Sequence, residues 1–325
     1  MPLSTRLTQR FGLVHPIICA PMAFAAGGRL AAAVTAAGGL GLIGGGYGDA
    51  AWLEEQWREA GNEQVGCGFI TWSLRKRPEL LELALAHRPR ALFLSFGDPE
   101  PFAAQIRAAG VPLICQVQSW RDAEHALDCA GDVIVAQGSE AGGHGETRST
   151  FTLLPEIADL IAARSAQTLL CAAGGVGDGR GLAAALMLGA DGVLVGSRLW
   201  ASQEANVSKR MHAAALAATG DDTIRSQVMD LARKLDWPSR YTARVLRNAF
   251  TARWHGREAD LMAVADEEAA KYRQAWAAGD PEASNTFVGE VVGLIHAIEP
   301  AGVIVDRMVR EAEHLLEAGH RYCMR

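Results

Sequence analysis

The residue types best suited to chemistry lie together in the stretch 132–146, Asp-Val-Ile-Val-Ala-Gln-Gly-Ser-Glu-Ala-Gly-Gly-His-Gly-Glu. It opens with a short apolar run whose β-branched residues predict a buried strand, and the strand runs into the polar Gln137. Gly142 and Gly143 lack a Cβ, so the main chain there can approach a flat ligand, and His144 can gain or lose a proton near neutral pH. The stretch predicts a ligand site with one proton-handling ring. An alternative interpretation is a strand followed by a glycine turn and a solvated histidine.

Two more glycine clusters follow apolar runs further along the chain. The first contains Gly174 and Gly175 and leads into an alanine-rich helix at 182–188. The second contains Gly196 and Ser197. Exposed amides in such turns point at anions, and the loops after the last two strands of a parallel barrel commonly form a phosphate site. Either cluster alone is a weak signal, but at consecutive strand ends they predict a phosphate cradle together.

Other predicted strand ends carry apolar or neutral polar side chains. Met22 follows the first strand, Gln116 ends the fifth and Gln137 ends the sixth. Glutamine amides suit the carbonyls and nitrogens of a heterocycle, whereas Met22 has core filler as its alternative role. Gly66 and Gly68 lie inside the third strand, where glycines usually mark a bulge or the close approach of a ligand.

The elements that must position these residues alternate regularly along the chain. Alanine-rich segments with helical composition separate the apolar runs, for example 29–37, 78–86, 101–109 and 121–129. Eight short apolar runs predict strands, at 17–20, 41–43, 65–70, 91–96, 113–117, 133–136, 168–172 and 192–195. Eight β-α alternations predict an α/β fold of the (β/α)8 TIM-barrel type. A doubly wound sheet is the alternative, because periodicity does not separate closed from open parallel sheets.

The alternation ends after the eighth predicted strand. The segment 205–285 is helical in composition, with a break at the turn sequence Asp-Trp-Pro-Ser of 236–239. We therefore expect a barrel domain formed by 1–204 and 286–325, with a helical insertion that covers the barrel mouth. A dimerisation surface, and hence a homodimer, is an alternative role for the insertion. Apolar positions in 303–317 fit a last barrel helix.

Composition excludes several classes of protein. The chain has 325 residues, a formal net charge of -6 and 49% hydrophobic residues, so no general affinity for nucleic acid or anionic membranes is expected. Six cysteines without a CxxC pair indicate buried thiols in a reducing compartment. The amino terminus has no apolar core, and no apolar run reaches about 18 residues, so a cytoplasmic protein is expected. No metal-ligand spacing, nucleophile elbow or phosphate-binding P-loop sequence is present, and we expect no metal.

Several of these segments together resemble the nitronate monooxygenase family, formerly called 2-nitropropane dioxygenases. They are Gln-Gly-Ser-Glu-Ala-Gly-Gly-His at 137–144, Ala-Gly-Gly-Val-Gly-Asp-Gly-Arg at 173–180, Val-Gly-Ser-Arg at 195–198, Pro-Ile-Ile-Cys-Ala-Pro-Met at 16–22 and Ala-Gly-Gly-Leu-Gly at 37–41. Members of this family are FMN-binding TIM barrels. The resemblance covers roughly residues 5–200 and extends more loosely beyond them.

The resemblance also implies roles for individual residues. His144 would be the catalytic residue on the substrate side of the flavin. The phosphate of FMN would be held by Gly174, Gly175, Gly196 and Ser197. The isoalloxazine and ribityl chain would be lined by Met22, Gln116, Gln137, Gly142 and Gly143. Some members carry asparagine at the position of Gly68 and lysine at that of Gln116, so this chain lacks two polar contacts to the flavin.

The implied activity is the oxidation of alkyl nitronates with O2 to carbonyl compounds and nitrite. His144 would act as a base on a neutral nitroalkane, or as a polar partner of the nitronate. Related FMN barrels share the Glu-Ala-Gly-Gly-His pattern and reduce quinones or enoyl thioesters with NAD(P)H, which gives the first alternative function. The second alternative is a non-enzymatic barrel that binds a phosphorylated ligand.

Overall fold

Parallel strands alternate with helices through most of the chain, and the computed structural model describes residues 3–319. The strands are β1 (Ile17–Cys19), β2 (Leu42–Gly44), β3 (Gly66–Ile70), β4 (Leu92–Ser95), β5 (Leu113–Val117), β6 (Val133–Gln137), β7 (Gly143–Gly145), β8 (Leu169–Ala173), β9 (Gly192–Val195), β10 (Thr223–Ser226) and β11 (Thr242–Leu246). Eight of them form one parallel sheet in the order β1-β9-β8-β6-β5-β4-β3-β2. A parallel bridge between Ile18 and Leu40, just before β2, joins the two edges. The sheet is therefore a nearly closed barrel, as predicted.

Each of the eight predicted apolar runs corresponds to one barrel strand, with ends that differ by at most one residue. The helices are α1 (Arg6–Phe11), α2 (Gly28–Ala36), α3 (Ala50–Ala60), α4 (Thr71–Leu74), α5 (Glu79–Ala86), α6 (Glu100–Ala108), α7 (Trp120–Asp128), α8 (Thr150–Arg164), α9 (Gly179–Met187), α10 (Ser197–Trp200), α11 (Lys209–Leu216), α12 (Val228–Ala232), α13 (Ala249–Trp254), α14 (Glu258–Ala263), α15 (Ala265–Ala277) and α16 (Ala301–Ala318). Two short 3-10 helices lie at Gly220–Asp222 and Glu290–Leu294. The last barrel helix, α16, packs against α9 and α2.

The barrel interior is filled by apolar side chains from alternating strand positions, such as Ile18, Phe93 and Val135. Leu7 and Phe11 of α1 belong to the same interior cluster. A Cβ added at Gly192, the first residue of β9, would lie 2.4 Å from Leu7 Cδ2. Helix α1 therefore closes the amino-terminal end of the barrel, and the opposite end is left for ligands.

The segment 205–285 contains five α-helices, α11 to α15, and in addition two strands that its composition did not predict. Strands β10 and β11 pair in antiparallel fashion, and β11 also pairs with β7, which lies in the loop after β6. The three strands form a second, small sheet. The strands exist because β11 finds a partner in β7, which is a tertiary contact that local composition does not encode.

The five cysteines among residues 3–319 are buried and free, as expected, and Cys323 lies outside the described residues. Burial raises the pKa of the Cys19 thiol to about 12, so this thiol stays protonated and unreactive near neutral pH. Within the described part of the chain, no helix is both long and apolar enough to span a bilayer.

Candidate active site

A cavity of about 310 Å³ opens at the carboxyl ends of the barrel strands. Residues from the strand ends form one side, and the insertion and the segment after it contribute others, including Arg233, Trp237 and Phe287. All residues to which the family resemblance gives a site role line this one cavity: Met22, Gln116, Gln137, Gly142, Gly143, His144, Gly174, Gly175, Gly196 and Ser197.

The position of His144 is fixed by the small antiparallel sheet. His144 is the middle residue of β7 and pairs with Ala243 of β11. The loop before it is held by two arginines of this sheet, because the main-chain oxygen of Ser139 accepts hydrogen bonds from Arg225 and from Arg244. Burial lowers the pKa of Arg225 to about 10, so the guanidinium remains charged at neutral pH. The alternative interpretation, a glycine turn with a solvated histidine, is therefore wrong, because the histidine is buried in a strand with a defined register.

His144 forms a buried pair with Asp230 of α12. The Nε2 atom lies 2.8 Å from Asp230 Oδ2, and the two residues are only 8% and 3% exposed. Because a carboxylate only accepts, Nε2 carries the hydrogen and donates it, and the lone pair of the neutral imidazole is on Nδ1. Burial lowers the pKa of His144, and the hydrogen bond to Asp230 raises it only in part. The neutral form, which can accept a proton, is thus the form present at neutral pH.

Aromatic side chains surround the histidine. The Trp237 indole lies parallel to the imidazole, with ring centroids 3.4 Å apart. Its Nε1 donates to the Tyr47 hydroxyl at 3.2 Å. Phe96 contacts both rings edge-on and has a φ of +61°, a strained conformation for a bulky residue. This apolar wall keeps water from one face of the imidazole.

A glutamine network lies at the ends of β5 and β6. The Oε1 atom of Gln137 accepts from Nε2 of Gln116 at 3.1 Å and from Nε2 of Gln118 at 2.8 Å. With its oxygen occupied twice, the amide group of Gln137 has N–H donors to offer to acceptors in the cavity.

The glycine turns after β8 and β9 lie on the same cavity. Gly174 and Gly175 both have positive φ, +97° and +77°, a conformation that only glycine adopts without strain. A Cβ at Gly196 would meet nothing closer than 3.8 Å and would project toward the cavity that this residue lines. The Ser197 hydroxyl accepts from the Gly289 amide at 2.8 Å and keeps its own hydrogen to donate. Main-chain amides, one hydroxyl and no side-chain bulk fit a phosphate group.

Two glycines are required by the packing of the chain itself. A Cβ on Gly142 would lie 2.5 Å from the main chain of Val288 and Gly289. A Cβ on Gly68 would lie 2.4 Å from the Pro21 ring. The space predicted beside Gly68 in β3 is therefore taken up by Pro21, and Gly68 does not line the cavity.

Sequence reasoning missed Asp230, Arg233, Trp237 and Tyr47. Trp237 belongs to the Asp-Trp-Pro-Ser sequence that was interpreted only as a helix break. Asp230 follows Val228 and Met229 in a short apolar stretch, and an isolated acid in such a stretch is a signal for a buried partner.

Comparison with known proteins identifies the family of this chain. The profile of the nitronate monooxygenase family matches residues 4–63 and 73–311. The chain belongs to this family, and it is an oxidoreductase. It is 34% identical to a nitronate monooxygenase of Metarhizium robertsii over 92% of this chain and 91% of that protein.

Two further proteins are similar over much of this chain. The chain is 31% identical to (3aS,4S,5R,7aS)-5-hydroxy-7a-methyl-1-oxo-octahydro-1H-indene-4-carboxyl-CoA dehydrogenase of Rhodococcus jostii, over 70% of this chain and 64% of that enzyme. The solved structure of FabK from Thermotoga maritima superimposes with a TM-score of 0.86 at 30% identity, covering 98% of this chain and 99% of that one.

Proposed function

We propose that the protein is an FMN-dependent nitronate monooxygenase, which oxidises alkyl nitronates with O2 to carbonyl compounds and nitrite. The observation that carries the proposal is the pair of Asp230 and His144, in which a buried neutral imidazole borders the same cavity as the glycine turns after β8 and β9. Membership of the nitronate monooxygenase family supports the choice of reaction.

FMN would be held at both ends of the cavity. Gly174, Gly175, Gly196 and Ser197 would bind its phosphate through amides and one hydroxyl. Met22, Gln116, Gln137, Gly142 and Gly143 would line the ring system and the ribityl chain, with the Gln137 amide as a donor. When bound, FMN supplies the transfer of electrons from substrate to oxygen. The segment 205–285 would act as the cover of the site, since it contributes Arg233 and Trp237 to the cavity wall.

His144 would handle the proton. Its Nδ1 lone pair can accept a proton from the α-carbon of a neutral nitroalkane, and Asp230 then stabilises the imidazolium through Nε2. For a substrate that arrives as the nitronate, no proton needs to be removed, and His144 serves as a polar contact. Trp237 and Phe96 exclude water from the ring.

The second candidate is an NAD(P)H-dependent FMN reductase of quinones or enoyl thioesters. The similarity to a carboxyl-CoA dehydrogenase of Rhodococcus jostii favours a thioester substrate. That similarity covers a smaller part of both chains than the similarity to the nitronate monooxygenase does.

Anaerobic mixing of the flavin-loaded protein with propyl nitronate, NADH or NADPH separates the two candidates. We expect the nitronate to bleach the flavin absorbance and the nicotinamides to leave it unchanged. Fast bleaching by a nicotinamide alone would assign the protein to the reductases. A protein that cannot be reconstituted with FMN would refute both.

His144→Ala should retain FMN and slow turnover of neutral nitroalkanes by about 10²–10⁴-fold, the usual contribution of a general base. Steady-state rates and flavin content measure the two effects separately. His87→Ala is a matched control, because His87 also pairs with a carboxylate, Glu54, and stacks on a tryptophan, Trp57, but lies outside the cavity. Loss of FMN from His144→Ala would show that His144 holds the cofactor instead.

A further inference from the structure

Arg233 places a buried cation in the wall of the cavity. It follows the last residue of α12, and its side chain is 16% exposed. The guanidinium carbon lies 5.0 Å from the Tyr47 ring centroid, 5.7 Å from that of Trp276 and 5.8 Å from that of Phe287. Three aromatic faces therefore surround the charge and remove it from water.

The hydrogen-bonding capacity of this guanidinium is only partly used. The nearest carboxylate oxygen, Asp230 Oδ1, lies 3.9 Å from Nη1, which is too far for a hydrogen bond, and Asp230 Oδ1 has no hydrogen-bond partner in the structure. The Tyr47 and Tyr272 hydroxyls are its other polar neighbours, and the Tyr47 hydroxyl is close enough for a hydrogen bond. Asp230 balances the charge of Arg233, but a guanidinium has five N–H donors, and those that its neighbours leave unused are available to an oxyanion in the cavity.

We propose that Arg233 binds the oxyanion of the substrate. A nitronate and a carboxylate share this chemistry, since both are planar groups with two oxygens that match the fork of a guanidinium. The assignment of the nitronate as the natural ligand rests on the proposed function, whereas the oxyanion site itself does not.

Arg233 and the proton-handling residue His144 share one neighbour, Asp230. Asp230 lies between them, with Oδ2 on His144 and Oδ1 toward Arg233. An anion held by Arg233 is thus separated from the imidazole by one carboxylate. The glycine turns after β8 and β9 supply main-chain amides for a phosphate, so the cavity has two different anion sites, one for the cofactor and one for the substrate.

A purely structural role for Arg233, as the counter-charge of Asp230, predicts different behaviour. In that case the arginine stabilises the fold, and its substitution does not change the affinity of the cavity for anions. Binding of butyrate to the flavin-loaded protein distinguishes the two roles, because butyrate is a carboxylate of the size of propyl nitronate and is not turned over. The shift of the flavin absorbance band on titration gives its dissociation constant, with neutral butyramide as the ligand control.

We expect butyrate to bind the wild-type protein and Arg233→Met to bind it about 10- to 100-fold more weakly, the range for hydrogen bonds to charged groups. Arg233→Lys keeps the charge but loses the two parallel N–H donors of the guanidinium, so its affinity for butyrate should lie between those of the wild type and Arg233→Met. This variant keeps the test valid if the methionine variant loses its flavin. The matched control is Arg253→Met, because Arg253 stacks on Trp254 at 4.4 Å in the same insertion but does not line the cavity. The proposal would be overturned if both Arg233 variants bound butyrate with wild-type affinity. It would also be overturned if the wild-type protein bound butyramide as tightly as butyrate.

The KM for propyl nitronate should rise by a similar factor in Arg233→Met. If butyrate binding depends on Arg233 and no nitronate is oxidised, the oxyanion site stands and the proposed function fails. If nitronates are oxidised with an unchanged KM in Arg233→Met, the function stands and this site is refuted.

Discussion

At the scale of single residues, the proposed chemistry of the site depends on which nitrogen of His144 carries the hydrogen. Asp230 determines this, because it accepts the hydrogen of Nε2 and leaves the lone pair on Nδ1. Its charge also opposes the effect of burial on the pKa of His144, while Arg233 and Arg225 act in the same direction as burial. The role proposed for His144 thus depends on partners, Asp230 and two arginines, that the sequence did not indicate.

Asp230→Asn tests this dependence. Loss of the carboxylate removes the interaction that raises the pKa of His144, so the pKa should fall further below its ordinary value. The acid limb of the pH profile of kcat/KM, where His144 becomes protonated, should then move to lower pH. An asparagine amide can also donate to Nε2 and fix the wrong tautomer, so turnover of nitroethane should fall by about 10²-fold or more.

Ethyl nitronate, which is already deprotonated, should be affected less than nitroethane in the same variant. Asp98→Asn is the matched control, since Asp98 Oδ1 lies 2.7 Å from His125 Nε2 in a pair outside the cavity. A positioning role for Asp230 would be contradicted if the acid limb of the pH profile stayed in place. It would also be contradicted if the variant lost equal activity with nitroethane and with ethyl nitronate.

Sequence alone could predict the location of some cavity residues but not of others. The glutamines lie at the ends of barrel strands, and His144 and the glycines lie in the loops that follow such strands, where the repeating β-α pattern predicts one common rim. Asp230, Arg233 and Trp237 reach the cavity from an insertion whose path over the barrel depends on tertiary contacts. No local pattern encodes that path, although the family resemblance indicated which strand-end residues to examine.

At the scale of elements, the turns after β8 and β9 can be tested as an anion cradle. Gly175→Asp should prevent retention of FMN, because it adds a negative charge to a phosphate site and a side chain at a φ of +77°. Flavin content after purification is the measurement.

Gly110→Asp separates the effect of the added charge from that of the backbone strain. Gly110 has a φ of +70°, but it has no atom within 4 Å of the added Cβ and lies outside the cavity. That variant should carry the backbone strain and remain yellow. A Gly175→Asp protein with a full complement of FMN would remove the turn after β8 from the site.

Helices and strands could be predicted where the pattern of apolar residues within the segment itself indicates them. The barrel strands are buried on both faces and appear in the sequence as short apolar runs bounded by glycines. Strands β10 and β11 carry Arg225 and Arg244, whose side chains leave no such run. These two strands were missed because their stability comes from pairing across the small sheet.

At the scale of the whole molecule, the barrel has one end that α1 closes and one end that carries the cavity. Leu7→Ala should lower the free energy of unfolding by about 2–5 kcal/mol, because it opens a space where α1 seals the barrel interior. Urea unfolding of the variant measures the loss, and flavin content should not change.

Val14→Ala is the control, since Val14 is 60% exposed and its truncation should change the stability by less than about 0.5 kcal/mol. Loss of FMN together with stability in Leu7→Ala would show that the two ends of the barrel are coupled.

The link between His144 and Asp230 spans 86 residues of sequence, and it has a consequence for how the protein acquires its activity. Closing the barrel joins β1 to β9 across most of the chain, with Ile17 opposite Val193. The small sheet joins β7, in the loop after β6, to β11, with His144 opposite Ala243. These are separate pairing events, so the barrel strands can pair while the histidine still lacks its carboxylate partner. Because Asp230 lies in the segment 205–285, we expect the proposed activity of a newly made chain to appear only when that segment has docked.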